Sequence, residues 1–198
     1  MSQEKSEGVR EVRIPLAGAE TRRHRTLDER IVVRFPALGR KLLAAWARLP
    51  RHSRLRRAML VRSVRRGYAA VSRRDFDLLA ISVDPSIVYH PRADEPDPSP
   101  HLGRGAYEQL IYGFIDSFSE VTFELLELID AGDHVIASTV LHAVLHGQES
   151  ASGAGVSDTY VFVYRVRDGL VVEGWEYRTK QEALEAVGLS EQDAHSDP

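Results

Sequence analysis

The sequence predicts an α+β fold, with helices gathered in its first half and an antiparallel meander of strands in its second. Three observations carry this prediction. Apolar residues recur at three- and four-residue steps up to Phe118, the period of an amphipathic helix. Beyond Val121 they fall instead into short runs separated by Gly and Asp turn signals. Strand and helix do not alternate, as they would in a parallel α/β sheet.

Residues 1–25 have no hydrophobic periodicity and end in Thr21-Arg22-Arg23-His24-Arg25, so a flexible tail is expected. From Thr26, Leu27, Ile31, Phe35, Leu38, Leu42, Trp46 and Leu49 mark the apolar stripe of a basic helical arm over residues 26–56. Pro36 should kink or split this arm and Pro50 should end it, because proline lacks a backbone donor and clashes with the preceding turn. An isolated helix of this length is marginal, so the arm should lay Ile31, Phe35, Leu42 and Trp46 on the main domain or its twin. The main domain is expected over residues 57–190, followed by a second tail at 191–198.

A helix beginning near Ser53 carries Leu55, Met59, Leu60, Val64, Tyr68 and Val71 on one face, and a shorter turn follows through Phe76, Leu78, Leu79 and Ile81. Ser86 to His90 reads as a short strand stopped by Pro91, after which an acidic loop with Pro96, Pro98 and Pro100 could rim a pocket. Ala106, Leu110, Ile111, Phe114 and Phe118 describe the next helix. Strands then run from Val121 to Ile129, His134 to His146, Asp158 to Arg167 and Leu170 to Arg178. Gly and Ser over 147–156 make a flexible connection, and Asp168-Gly169 is a hairpin signal. A last helix, Lys180 to Val187, stops at Gly188.

Cysteine is absent, which excludes disulfides, a thiolate nucleophile and a cysteine zinc site and fits a cytoplasmic address. The N-terminus is polar and no segment is apolar enough to span a membrane, so neither a signal peptide nor a membrane span is expected. The formal net charge of -3 hides a split: residues 1–74 carry 20 Lys and Arg against 6 Asp and Glu, residues 75–198 carry 6 against 23. The basic half could meet phosphates, an anionic membrane surface, or the acidic half of the same or another subunit. Its arm lacks interleaved aromatics and known motifs, so nucleic acid is not the expected partner.

The succession GYAAVSRRDFDLL, VDPSIVYHP, GRGAYEQLIYGF, GDHVIAS, VYRVRDGLVVEGWEYR and EALEAVGL resembles the SnoaL-like branch of the nuclear-transport-factor-2-like superfamily over residues 64–189. The resemblance implies a cone: N-terminal helices packed on a strongly curved, mostly antiparallel sheet that encloses a pocket. It also implies a homodimer and a small, mainly apolar ligand. Among its enzymes are steroid isomerases, polyketide cyclases, dehydratases and epoxide hydrolases, and the resemblance implies acid-base chemistry without a cofactor.

The same resemblance proposes two proton-handling residues. His90 stands where isomerase-like members carry their carboxylate base, and imidazole exchanges protons near neutral pH. The oxyanion partners of those isomerases fall on Gly67 and Phe162, which cannot donate from a side chain. Glu176, in Gly174-Trp175-Glu176-Tyr177, resembles the acidic residue of cyclase-like and epoxide-hydrolase-like members, and a carboxyl in an apolar cavity stays protonated to higher pH. No arginine on the His134 to His146 strand offers the bridge that an epoxide hydrolase needs.

Plainer readings stand beside these. His90 could simply bond the backbone or Asp94, and Glu176 could pair with Arg178 or Lys180 on a solvated edge. A two-residue turn at Asp168-Gly169 puts Glu176 on the face of Val161 and Val163; a three-residue bulged turn moves it to the face of Tyr160 and Phe162. His142 and His146 share a face, as do Asp158 and Tyr160, and an even register would set His146 beside Asp158 as a dyad or an exposed pair. Four residues along a strand span ~13 Å, so the two histidines cannot share one metal, and none is expected. Tyr68, Tyr89, Tyr107, Tyr112, Tyr160 and Trp175 could line a ligand cavity or fill the core and a dimer interface. The functional alternatives are therefore an acid-base enzyme on a small apolar molecule and a non-catalytic binding or interaction module with a recruiting arm.

Overall fold

The computed structural model describes the backbone of residues 12–15 and, in full, residues 24–50, 53–147 and 155–189. The expected tail at 191–198, most of the tail at 1–25 and most of the Gly/Ser connection lie outside the described residues. Four helices come first: α1 (Leu27–Arg34), α2 (Pro36–Ala47), α3 (Arg54–Ser72) and α4 (Phe76–Ser82). Strand β1 (Val12–Pro15) precedes them, and β2 (Val83–His90), β3 (His101–Leu102) and α5 (Arg104–Asp116) follow. The meander β4 (Phe118–Ala131), β5 (His134–Leu145), β6 (Gly155–Arg167) and β7 (Leu170–Tyr177) leads into α6 (Lys180–Ala186).

These strands form one sheet in the order β1-β4-β5-β6-β7-β2-β3. Every neighbouring pair is antiparallel except β2 and β7. Register slips in the β4–β5 pair, between Phe118 and Glu120 and between Leu125 and Glu127, are bulges of the kind that bend a sheet. The sheet is curled but not closed. Its concave face meets α3, α4 and α5 in the main core, which includes Leu60, Tyr68, Ile87, Leu128 and Phe162. A smaller core of Ile129, Ile136, Val161, Val163, Ala183 and Leu184 fixes α6 to the convex face. Residues of β6 thus alternate between two apolar environments.

Two expectations about the N-terminal region need correction. Val12–Pro15 is not tail but an edge strand, running antiparallel to β4 from Val12 opposite Asp130 to Pro15 opposite Glu127. Four residues are too few to show a period, and proline is tolerated at a sheet edge. The arm does dock, and Trp46 is buried as expected, but the other three residues of the expected stripe are not. Val32, Gly39 and Trp46 are buried, whereas Ile31, Phe35 and Leu42 face solvent.

The cause lies in α1. Thr26 and Glu29 form a reciprocal cap, and the acidic first turn is drawn to the arginines of α3. Arg62 and Arg66 bond Asp28, and Arg73 bonds the buried Glu29 at 3.1 Å. Asp28 and Glu29 bring Val32, one turn later, to the inside. Phe35 then caps α1 and Pro36 opens α2. Trp46 anchors the second helix by donating from Nε1 to the Arg56 carbonyl at 3.0 Å. Helix α3 itself runs through the expected boundary at 56/57, so arm and domain share an element.

Candidate functional site

The concave face holds a cavity of about 440 Å³ between α3, α5, the loop after β2, and strands β2, β3, β4, β6 and β7. Its walls are mainly aromatic. Tyr160, Phe162 and Tyr164 alternate along β6 toward it, and their rings stack in sequence with centroids 5.8 and 5.9 Å apart. Tyr68 of α3 and Phe114 of α5 close the helical side, and Phe123 of β4 adds a further ring from the sheet. Pro91, Glu95, Pro96 and Asp97 line the rim, as the proline-rich loop suggested.

Glu176 enters this cavity through a detail of the β6–β7 hairpin. Arg167 pairs with Leu170 across a two-residue turn, whose Asp168 and Gly169 both have positive φ, 52° and 79°. That turn alone would put Glu176 opposite Val161. A register slip beyond Val166 and Val171 instead puts it opposite Phe162, on the cavity face. The turn is therefore the two-residue kind, yet Glu176 takes the face expected of a three-residue bulged turn, because the slip lies within the strands and not in the turn. Neither Arg178 nor Lys180 pairs with Glu176: Arg178 bonds Asp94 and Lys180 bonds Glu127.

Tyr89 completes the centre. Its hydroxyl donates to Glu176 Oε1 at 2.6 Å. It reaches there because Tyr89 lies opposite Gly174 in the parallel β2–β7 pair, and a Cβ on Gly174 would fall 2.7 Å from the Tyr89 ring. Opposite Tyr89 on its other side is His101 of β3, on the same face of the sheet. His101 also lines the cavity, and its Nε2 is buried with no hydrogen-bond partner among the described residues. Glu176, Tyr89 and His101 thus sit on three adjacent strands and face one chamber.

Burial pushes the Glu176 carboxyl up from its ordinary value; the Tyr89 hydrogen bond pulls it back, and the nearby negative charge of Glu95 adds to the rise. Burial likewise drives the Tyr89, Tyr107 and Tyr164 hydroxyls well above their ordinary range, so they remain neutral donors. Tyr164 and Tyr68 hydroxyls approach to 3.5 Å. At the rim, the buried Arg92 lies 4.4 Å from the Tyr160 ring and bonds Asp158 and Glu95, each at 3.3 Å. Burial pushes the Tyr160 hydroxyl up to about 12, against the downward pull of Arg92.

Other expected site residues lie elsewhere. His90 and Trp175 oppose one another on the convex side of the same two strands. Their rings stack 5.4 Å apart, Trp175 packs against the α6 core, and His90 Nε2 meets Glu173 at 3.2 Å. The structure therefore does not bring His90 and Glu176 together; strand alternation sends Tyr89, not His90, into the cavity. Tyr112 is half exposed and rests against Phe76 outside the chamber. The β5–β6 register is odd, with Leu141 opposite Asp158 and His142 opposite Ser157, so no His146–Asp158 dyad exists. His142 pairs with Glu124, His146 bonds the Asp116 carbonyl, and Asp158 holds Arg92. No group of three His, Asp or Glu among the described residues is arranged to hold a metal. Tyr68, Tyr89 and Tyr160 do line the cavity.

Residues 64–174 match the SnoaL-like domain, so the chain belongs to the SnoaL-like family. No curated protein matches it. Solved structures with the same fold include an NTF2-like protein of unknown function from Burkholderia pseudomallei, 16% identical with a TM-score of 0.51 over 63% of this chain and 94% of that one. Wild-type IdmH of Streptomyces antibioticus, described as a candidate polyketide cyclase, is 22% identical with a TM-score of 0.51, covering 65% of this chain and 98% of its own. AclR of Streptomyces galilaeus, a candidate hydroxylase, is 22% identical with a TM-score of 0.50, covering 66% and 96%.

Proposed function

We propose that this chain is a cofactor-independent acid-base enzyme for a small, flat, mainly apolar molecule bearing a carbonyl or hydroxyl group, with Glu176 as the proton-handling residue. The observation that carries the reading is the Glu176 carboxyl, buried in an aromatic chamber and held at 2.6 Å by the Tyr89 hydroxyl. A cavity of about 440 Å³ lies within the range of small-molecule sites, and its stacked rings favour planar ligands. That IdmH is described as a candidate polyketide cyclase fits the same substrate class.

On a ketone, ionised Glu176 takes the proton from the carbon beside the carbonyl. The C–H electron pair moves into the carbonyl, and the resulting enolate oxygen accepts a hydrogen bond from a neutral donor. The buried tyrosine hydroxyls are such donors, and the unpartnered Nε2 of His101 is aimed at the same space. Return of the proton from Glu176 to another carbon completes an isomerisation. In a ring closure the enolate carbon attacks a second carbonyl carbon of the same molecule, whose π pair moves to its oxygen, and that oxygen takes the proton from Glu176. Tyr89 positions the carboxyl throughout.

The test is α-proton exchange of tetralone, a flat apolar ketone, followed by NMR in heavy water. The intact protein should accelerate exchange and Glu176→Gln should lower that rate by about 10²-fold or more, the usual worth of a positioned base. Binding of tetralone without exchange would instead favour the non-catalytic binding module, and accelerated exchange indifferent to Glu176→Gln would remove Glu176 as the base. A homodimer belongs to the same proposal, supported by Leu126, Leu145 and Val156 exposed on β4, β5 and β6. A sedimenting species of 22.2 kDa alone would contradict it.

A further inference from the structure

The outward face of the N-terminal arm is not used by the cavity. Leu27 and Ile31 stand one turn apart on α1, Leu38 and Leu42 one turn apart on α2, and Phe35 lies at the junction. All five are between 45% and 78% exposed. Burial of Val32, Gly39 and Trp46 on the opposite side holds both helices against the domain, so this row is a fixed external ridge. Exposed Arg30, Arg34, Arg40, Lys41 and Arg48 surround it and form no salt bridge among the described residues. The Arg34 guanidinium lies 5.5 Å from the Phe35 ring. From residue 30 to residue 74 the chain has 14 Lys and Arg and no Asp or Glu.

We propose that this ridge docks the protein on the surface of a bilayer rich in anionic phospholipid. Large apolar side chains flanked by cations on a helix face are the composition of an interfacial amphipathic element, with the side chains entering the acyl boundary and the cations meeting headgroup phosphates. No helix among the described residues is long and apolar enough to cross a membrane, so the arm lies along the surface. A second copy is a poorer occupant. A two-fold interface sets the same patch against itself, and here it would oppose five cations with five cations. Nucleic acid offers the phosphates but nothing for five exposed apolar residues.

Flotation of the full chain with phosphatidylcholine vesicles, with and without phosphatidylserine, tests the proposal. The protein should float with phosphatidylserine vesicles, remain behind with phosphatidylcholine alone, and release as salt rises. Arg30→Gln with Arg34→Gln should weaken the partition by roughly fivefold per arginine. Ile31→Ser with Leu38→Ser should abolish flotation and leave the melting temperature unchanged, since both side chains already face solvent. Absence of flotation at low salt, or flotation that survives both double substitutions, overturns the proposal. So does an intact chain that ignores vesicles while Ile31→Ser with Leu38→Ser converts a dimer to a monomer, or that ignores vesicles and binds only an acidic protein.

Discussion

The centre of the site depends on a residue with no side chain. Gly174 lets the Tyr89 ring lie across β7, and only from there does its hydroxyl reach Glu176. Gly174→Ala should therefore force the ring away and cost about 1–3 kcal/mol of overpacking in urea unfolding. It should also remove the tyrosine donor from the carboxyl. Unchanged stability would mean that the ring has room to yield. Glu176 makes a second prediction, in pH. Its folded-state value is raised by burial, so the folded protein holds the proton where the unfolded chain has released it. Stability thus falls as pH rises from the ordinary glutamate value, about 4.3, through the raised one. Melting curves of Glu176→Gln should lack that decline. If both proteins decline alike, Glu176 is not the buried acid.

At the scale of elements, much of the fold was legible because periodicity and turn chemistry are local. The helices α3 and α5, the meander and the Asp168-Gly169 hairpin follow from apolar spacing and positive-φ turn residues. Three features were not legible. Strands β1 and β3, of four and two residues, are too short to carry a period. The slip after Val171 depends on packing across the whole sheet, yet it decides where Glu176 points. The apolar row Leu27, Ile31, Phe35, Leu38 and Leu42 stays exposed on both sides of Pro36, because the ion pairs of Asp28 and Glu29 with α3 turn the Val32 and Gly39 side inward, a long-range contact that local spacing does not carry. The site shows the same limit. Tyr160 was visible as a cavity residue and Tyr164 follows from it by a period of two, whereas His101 needed the β2–β3 pairing. Trp46 tests the arm as an element: Trp46→Ala should cost about 3–5 kcal/mol in chemical unfolding, as for other buried large aromatics. A loss under about 1 kcal/mol would show that α2 does not contribute to the core.

Across the whole molecule, the charge split is only partly settled within the chain. Arg25 bonds Asp75 and Arg56 bonds the buried Asp130, both joining the basic half to the acidic one. Burial alone would raise Asp75, but Arg25 and the Leu78 N–H outweigh it and hold the carboxyl below its usual range. Its contribution to stability is present above the ordinary aspartate value and is lost as pH falls through the lowered one. Arg56→Met should leave Asp130 buried and unpaired and cost about 3–5 kcal/mol, measured by denaturant unfolding at neutral pH. A near-neutral substitution would place Asp130 in contact with water. Arg30, Arg34, Arg40, Lys41 and Arg48 of the arm are exposed, which separates the basic exterior from the aromatic interior where chemistry is assigned.

That assignment is tested most directly by carboxyl ¹³C NMR of the glutamate-labelled full chain, with the Glu176 signal identified by its loss in Glu176→Gln. Glu176 should titrate above the ordinary glutamate value of about 4.3. Its signal should also shift on addition of tetralone, while that of Glu173, beside His90 on the convex face, stays in place. A Glu176 signal that titrates at the ordinary value and ignores tetralone would contradict it.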